Sequence, residues 1–243
     1  VADDVPRTGE IVNQPPHGWH QQQQHGWQQP PPQQGWQPYP QQPPKKSKAP
    51  LIIAIIGVLV LLSGLVAGLV TYLDVHKDGG EPKRANALPS LCGNISEAAL
   101  AKARTTNPNT LGSHESEMSG TKSTTCSWNQ TKGVDGQGYR SVDVYVTRGE
   151  KDIDFDRLVA QHMDTRGTPQ QKLLDGLGDQ ATAVLVEGNS ALTDIWILVR
   201  KGDATVKVDY TGWDAGFMTH AKPDVAEFEA AAKGLAEEMV AKL

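Results

Sequence analysis

From Leu51 to Leu73 the chain carries no charged side chain, and only Ser63, Thr71 and Tyr72 break its apolar character. As a helix this run would be roughly 35 Å long, enough to cross a bilayer core with some tilt. A buried helix of a soluble protein needs one apolar stripe. A run apolar on every face is what hydrocarbon requires, because it offers polar groups no partner. The run therefore predicts a transmembrane helix over residues 50–73 with the lipid bilayer as its surroundings. Everything else divides around it.

Lys45, Lys46 and Lys48 crowd its N-terminal edge, while Asp74, Lys77 and Asp78 follow it. That asymmetry places the N-terminus in the cytoplasm and the C-terminal part outside the cell membrane. A cleaved signal peptide fits less well, since the basic cluster sits deep in the chain and the apolar run exceeds the usual 7–15 residues. Gly57, Gly64 and Gly68 share one face of the helix, a small-residue pattern suited to close approach of a second copy, hence a homodimer through the membrane helix.

Residues 1–49 hold most of the glutamine and proline and almost no aliphatic side chains. They cannot bury enough surface to offset the entropy of ordering, so a disordered cytoplasmic tail is expected. A loose repeat within it, His17-Gly18-Trp19-His20, His25-Gly26-Trp27-Gln28 and Gln34-Gly35-Trp36-Gln37, reads either as a spacer or as a multivalent ligand for cytoplasmic proteins. Residues 74–90, with Gly79-Gly80, Pro82 and Pro89, read as a stalk. Only residues 91–243 are able to build a core, at a comfortable size for one domain.

Stalk and domain together carry 19 basic and 25 acidic side chains. An acidic ectodomain argues against nucleic acid as a partner. The chain's two cysteines, Cys92 and Cys126, both lie in this domain. In a translocated domain an even count predicts a disulfide.

Periodicity predicts an α+β fold, an antiparallel sheet covered by helices. Asn94 with Glu97 resembles a capping box for a helix to about Arg104, followed by a long loop from Thr105 to Thr125. Val142, Val144 and Val146 alternate with Asp143 and Tyr145 in a strand. Asp152, Asp154 and Asp156 open a second helix with Phe155, Leu158, Val159 and His162 inward. A three-strand meander spans residues 181–210. The last helix begins at Pro223 and presents Val225, Phe228, Ala232, Leu235 and Met239 as one stripe.

Catalytic templates fail. Ser119-Gly120-Thr121-Lys122 matches S-x-x-K but stands in a turn-rich stretch. The alternate aspartates lack the glycine and final glutamate of a calcium loop. His114 and His162 have no sequence-local partner, and no metal or cofactor is expected. Trp213, Phe217, Met218 and His220, in a glycine-broken segment, are the candidate wall of a ligand pocket.

Leu91-Cys92 before an alanine-rich helix, Thr125-Cys126-Ser127-Trp128 opening a strand, and Gly176-Leu177-Gly178-Asp179-Gln180-Ala181 before a meander resemble an uncharacterised ectodomain family of actinobacterial cell-envelope, lipoprotein-like proteins. They are also similar to the extracellular sensor domains of mycobacterial-type Ser/Thr kinases. The resemblance covers roughly residues 91–243 and implies location and fold, with no catalytic residue. This chain departs from the family in having a membrane helix where a lipid-modified cysteine often stands.

Three function classes follow. The first is a non-enzymatic, single-pass envelope protein whose outer domain binds an unidentified ligand or partner. The second is a structural scaffold whose tail recruits partners. The third is an enzyme with an unrecognised site. The topology is testable: protease added to cells with only the cytoplasmic membrane as barrier should remove the C-terminal domain and spare the tail, whereas loss of the tail alone would reverse the orientation.

Overall fold

The computed structural model describes residues 47–85, 87–149, 153–163 and 167–243. The repeat-bearing tail and Asp152 lie outside these residues. Helix α1 runs Ala49–Val75, with Pro50 in its first turn, where a missing N–H leaves no bond unmade. It is the one helix among the described residues long and apolar enough to cross a membrane. Between Leu51 and Leu73 every residue is exposed except Gly68, which is half-buried. The hydroxyls of Ser63 and Thr71 donate back to the carbonyls of Val60 and Ala67 at 2.9 and 3.0 Å, so neither polar group asks for a partner outside the helix.

Residues following α1 lie along the domain. Asp78 bridges to Gly138 and Glu81 to Thr131, and the Arg84 N–H donates to Asn107 Oδ1 at 2.8 Å. A 3₁₀ turn (Ser90–Asn94) leads to helix α2 (Glu97–Lys102). Its cap is Ser96, whose side chain accepts from the Ala99 N–H, in place of the Asn94 expected from spacing. The segment from Thr105 to Thr125, expected as a loop, holds strands β1 (Asn107–Pro108), β2 (His114–Met118) and the start of β3 (Thr121–Asn129). Then come β4 (Tyr139–Arg148), helix α3 (Phe155–Met163), β5 (Thr168–Leu173), β6 (Gln180–Glu187), β7 (Thr193–Lys201), β8 (Ala204–Ala215), β9 (His220–Ala221) and helix α4 (Val225–Ala241).

The described strands form an antiparallel sheet in the order β1-β3-β4-β8-β7-β6-β5, with β2 beside β3 and β9 beside β8. Alternation decides its faces. Cys126, Trp128, Val142, Val144, Val146, Ile195, Ile197, Val199, Val206, Val208 and Tyr210 point to one side and pack with Phe228, Ala232, Leu235 and Met239 of α4. Val225, expected in that stripe, is exposed in the first turn. Asp224 caps α4 by accepting from the Glu227 N–H. The second face is covered over part of its width: Phe155 and Val159 of α3 pack on Val184, Val186 and Leu198. Across β4 and β8 this face presents the polar row that alternates with the valines. The expected cover of helices is thus extensive on one side and partial on the other.

The motif around Gly178 has a physical reason. Gly178 sits at φ +64, and a Cβ there would come within 2.5 Å of the Arg200 carbonyl. The tight approach lets the Asp179 N–H donate to Arg200 O while Asp179 Oδ2 accepts from the Gly202 N–H, both at 2.7 Å. One aspartate thereby ties the start of β6 to the β7–β8 turn.

Cys92 and Cys126 are disulfide-bonded, with Cα atoms 5.5 Å apart and a sequence separation of 34. Both are buried, so the bond fastens the 3₁₀ turn to the middle of β3. Replacing both with serine should lower the unfolding free energy by about 2–4 kcal/mol, measured by chemical denaturation of the oxidised protein. An unchanged midpoint would show that noncovalent packing alone holds the turn.

Candidate functional site

At the end of the sheet nearest α1, β4 begins and β8 ends. Arg140 is almost wholly buried there and donates to Asp214 Oδ1 at 2.6 Å and to the Trp213 carbonyl at 2.6 Å. Arg104 reaches the same carboxylate oxygen at 2.8 Å and also donates to the carbonyls of Asp135 and Gln137. Arg104 holds a left-handed backbone, φ 58, in the position after the α2 cap where glycine is usual. The Thr105 N–H bonds Leu100 O and the Arg104 N–H bonds Ala101 O, which closes the helix end around it. The strain, about 1–2 kcal/mol for a residue with a Cβ, is offset by a guanidinium aimed at three acceptors. Arg140 also lies 5.4 Å from the Phe228 ring centre, and Phe228 stacks on Tyr210. Burial pushes the Tyr210 phenol up to about 12, with Arg140 opposing, and its hydroxyl donates to Ala103 O at 2.7 Å. The network borders an open recess of about 60 Å³, too small for more than a water or two.

Trp213 and His220 stack at 3.7 Å between ring centres, and Tyr139 stacks beyond Trp213 at 6.5 Å. The segment expected as a loop is the β8–β9 hairpin, closed by the Gly216 N–H donating to Thr219 O. Phe217 and Met218 at its tip face α1. Phe217 lies 6.4 Å from the Tyr72 ring, and Met218 Cε is 3.7 Å from where a side chain on Gly68 would begin. Gly57 and Gly64 have nothing within 4 Å of that position. So the structure brings the four pocket candidates into one hairpin, whose tip, Phe217 and Met218, lies against α1 and covers the outer member of the glycine face.

A ligand-sized cavity of about 290 Å³ opens at the other end of the same strands. Thr124 and Val146 form its floor, Ser90, Leu91 and Asn94 one wall, and Glu115, Lys122, Arg148 and Lys242 its charged rim. Lys122 pairs with Glu115. The Arg148 Nε is buried and makes no hydrogen bond. A buried donor without an acceptor carries a desolvation cost, here borne beside the cavity. The disulfide holds this wall: Cys92 lies between Leu91 and Asn94, and Cys126 two residues beyond Thr124. Sequence reading missed the site because its charges come from β2, β3, β4 and the end of α4, with no motif linking them. Among the described residues no group of three or more His, Cys, Asp or Glu side chains is placed to hold a metal ion.

The open face of the sheet carries a different arrangement. Lys207 Nζ sits 4.2 Å from the Tyr145 ring centre. Asp209 neighbours both; burial raises its pKa, Lys207 and the Trp196 indole oppose, and Asp143 and Asp194 add to the rise. Tyr145 is likewise raised, by burial first and then by Asp143 and Asp209. His162 of α3 meets Trp196 edge-on at 4.8 Å. A carboxyl with a raised folded pKa favours the protonated fold, so its contribution is fully present below the unfolded value near 3.8 and is lost as pH rises through the folded value. Asp209→Asn should therefore be more stable than the parent at neutral pH, and the difference should vanish in acid. A pH series of denaturant midpoints checks this. A variant less stable at pH 7 would mean the ionised carboxylate is favoured.

No protein-family model matches the chain, and neither any curated protein nor any solved structure does.

Proposed function

We propose that this chain is a single-pass protein of the cell envelope with its N-terminus in the cytoplasm and its C-terminal domain outside. That domain is a non-catalytic binding module, and its ligand is a small anion, a carboxylate or phosphate, held in the Arg148 cavity. The cytoplasmic tail serves as the interaction segment. One observation carries the binding assignment: a cavity of about 290 Å³ whose rim gathers Lys122, Arg148 and Lys242 against the single carboxylate of Glu115. This cationic spot stands in a chain of net charge −5. Charges of one sign gathered in a low-dielectric cleft focus the field on an incoming counter-ion.

Placement has separate support. Helix α1 has the length and the uniform exposure of a span, Lys45, Lys46 and Lys48 precede it, and a disulfide persists in an oxidising compartment. The resemblance to envelope ectodomains and kinase sensor domains agrees with this reading and supplies no ligand.

Thermal unfolding of the full chain in detergent micelles, with and without inorganic phosphate or citrate, tests the binding assignment. At a hundredfold excess over Kd one site should add about 2.7 kcal/mol. Arg148→Met should abolish the gain, and Lys207→Met, on the open face, should retain it. Equal gains in both variants would show general ion effects and overturn the site.

A further inference from the structure

The β8–β9 hairpin carries an inference of its own, resting on the reading that α1 spans a bilayer. We infer that its tip, Phe217 and Met218, is inserted in the outer leaflet of that same bilayer and seats the domain on the membrane surface.

Depth makes the case. The apolar run is centred near Leu62, and Gly68 lies about 9 Å from that centre at 1.5 Å per residue. Half the hydrocarbon thickness is about 15 Å. Met218 Cε stands 3.7 Å from the position a Cβ on Gly68 would take, and Phe217 meets α1 at Tyr72, one turn further out. A side chain at the level of Gly68 is below the hydrocarbon boundary, unless the whole helix slides outward and exposes Leu69, Val70 and Leu73 to water. Phe217 is 82% exposed, so protein does not cover it. The surrounding chemistry fits the same depth. Gly216 and Thr219 close the turn through their own backbone groups, which limits the polar cost of immersion. Trp213, stacked between His220 and Tyr139, stands at the base of the hairpin, and Tyr72 meets Phe217 at the tip; amphipathic rings of this kind favour the headgroup region. Asp214, held by Arg104 and Arg140, fixes the base of the hairpin, so the tip is presented by a rigid support.

The test uses the full chain reconstituted in phosphatidylcholine vesicles. Both native cysteines are in the disulfide, so a single introduced cysteine can be labelled with an environment-sensitive fluorophore. Phe217→Cys reports the hairpin, Leu61→Cys the middle of α1, and Asp203→Cys the β7–β8 turn at the far end of the sheet. Nitroxide-bearing lipids should remove most of the emission at 217 and at 61 and leave 203 unchanged, and the 217 label should emit at shorter wavelength in vesicles than in detergent-free denaturant. Quenching at 61 without quenching at 217 overturns the hairpin insertion while leaving the span intact. No quenching at 61 overturns the span, and the insertion with it. Quenching at both 217 and 203 would show a domain lying flat on lipid and would overturn specific insertion of the tip.

Discussion

One carboxylate oxygen, Asp214 Oδ1, accepts from two guanidiniums, and much of the molecule depends on that meeting. Arg140 comes from the start of β4, Arg104 from the end of α2, and Asp214 from the end of β8. Arg140 is nearly sealed from water while Arg104 and Asp214 stay partly exposed, and a charge buried like that of Arg140 is tolerated only where geometry and further hydrogen bonds compensate for lost hydration. Arg140 meets that condition through the carbonyls of Tyr139 and Trp213, and Arg104 through those of Asp135 and Gln137. Gly138 permits the crowding. It stands at φ +90, and a Cβ there would lie 2.5 Å from the Trp213 carbonyl. The same residue takes the bridge from Asp78, only a few positions after α1 ends, so helix and sheet share one junction.

The junction and the cationic cavity occupy opposite ends of the same two strands. β4 and β8 stay in register from Tyr139 opposite Trp213 to Arg148 opposite Ala204. At about 3.4 Å per residue that is some 30 Å. The two ends are built differently. Near α1, aromatic rings and a satisfied ion network leave little space. At the far end, cations ring a cavity, and a covalent bond between Cys92 and Cys126 holds its wall. Between them the valines of β4 and β8 pack against α4 as continuous core.

How much of this was legible in the sequence depended on whether a segment buries one face. Val142, Val144 and Val146 alternate with polar residues because half of the strand is core, and the meander and α4 announce themselves likewise. β2 and β5 could not be read. His114-Glu115-Ser116-Glu117-Met118 is exposed at every position, and Thr168-Pro169-Gln170-Gln171-Lys172-Leu173 nearly so. A strand with no buried side leaves no period of two, and its backbone pairing is invisible in side-chain type. The cysteine pair was legible because only two cysteines exist to be joined. The residues Trp213, Phe217, Met218 and His220 were read from sequence as the wall of a ligand pocket. Their contact with α1 was not, because stacking across distant segments has no local signature. Arg148 and Lys242 were hidden for the same reason: their meaning lies in tertiary proximity alone.

The illegible strands have a consequence in two dimensions. Among the described residues β2 and β5 are outer rows of the sheet, β2 flanked only by β3 and β5 only by β6, and each turns an edge of its backbone outward. Chains anchored by a helix such as α1 would share a plane, with their domains at similar height and edges facing sideways. Lateral collision would then deliver edge to edge far more often than in free solution. Glu115 and Glu117 on one border, and Pro169 with Lys172 on the other, make such fusion unfavourable through charge and a missing N–H. Their polar character, which hid these strands from sequence reading, would keep copies anchored in this way from zipping into a continuous sheet.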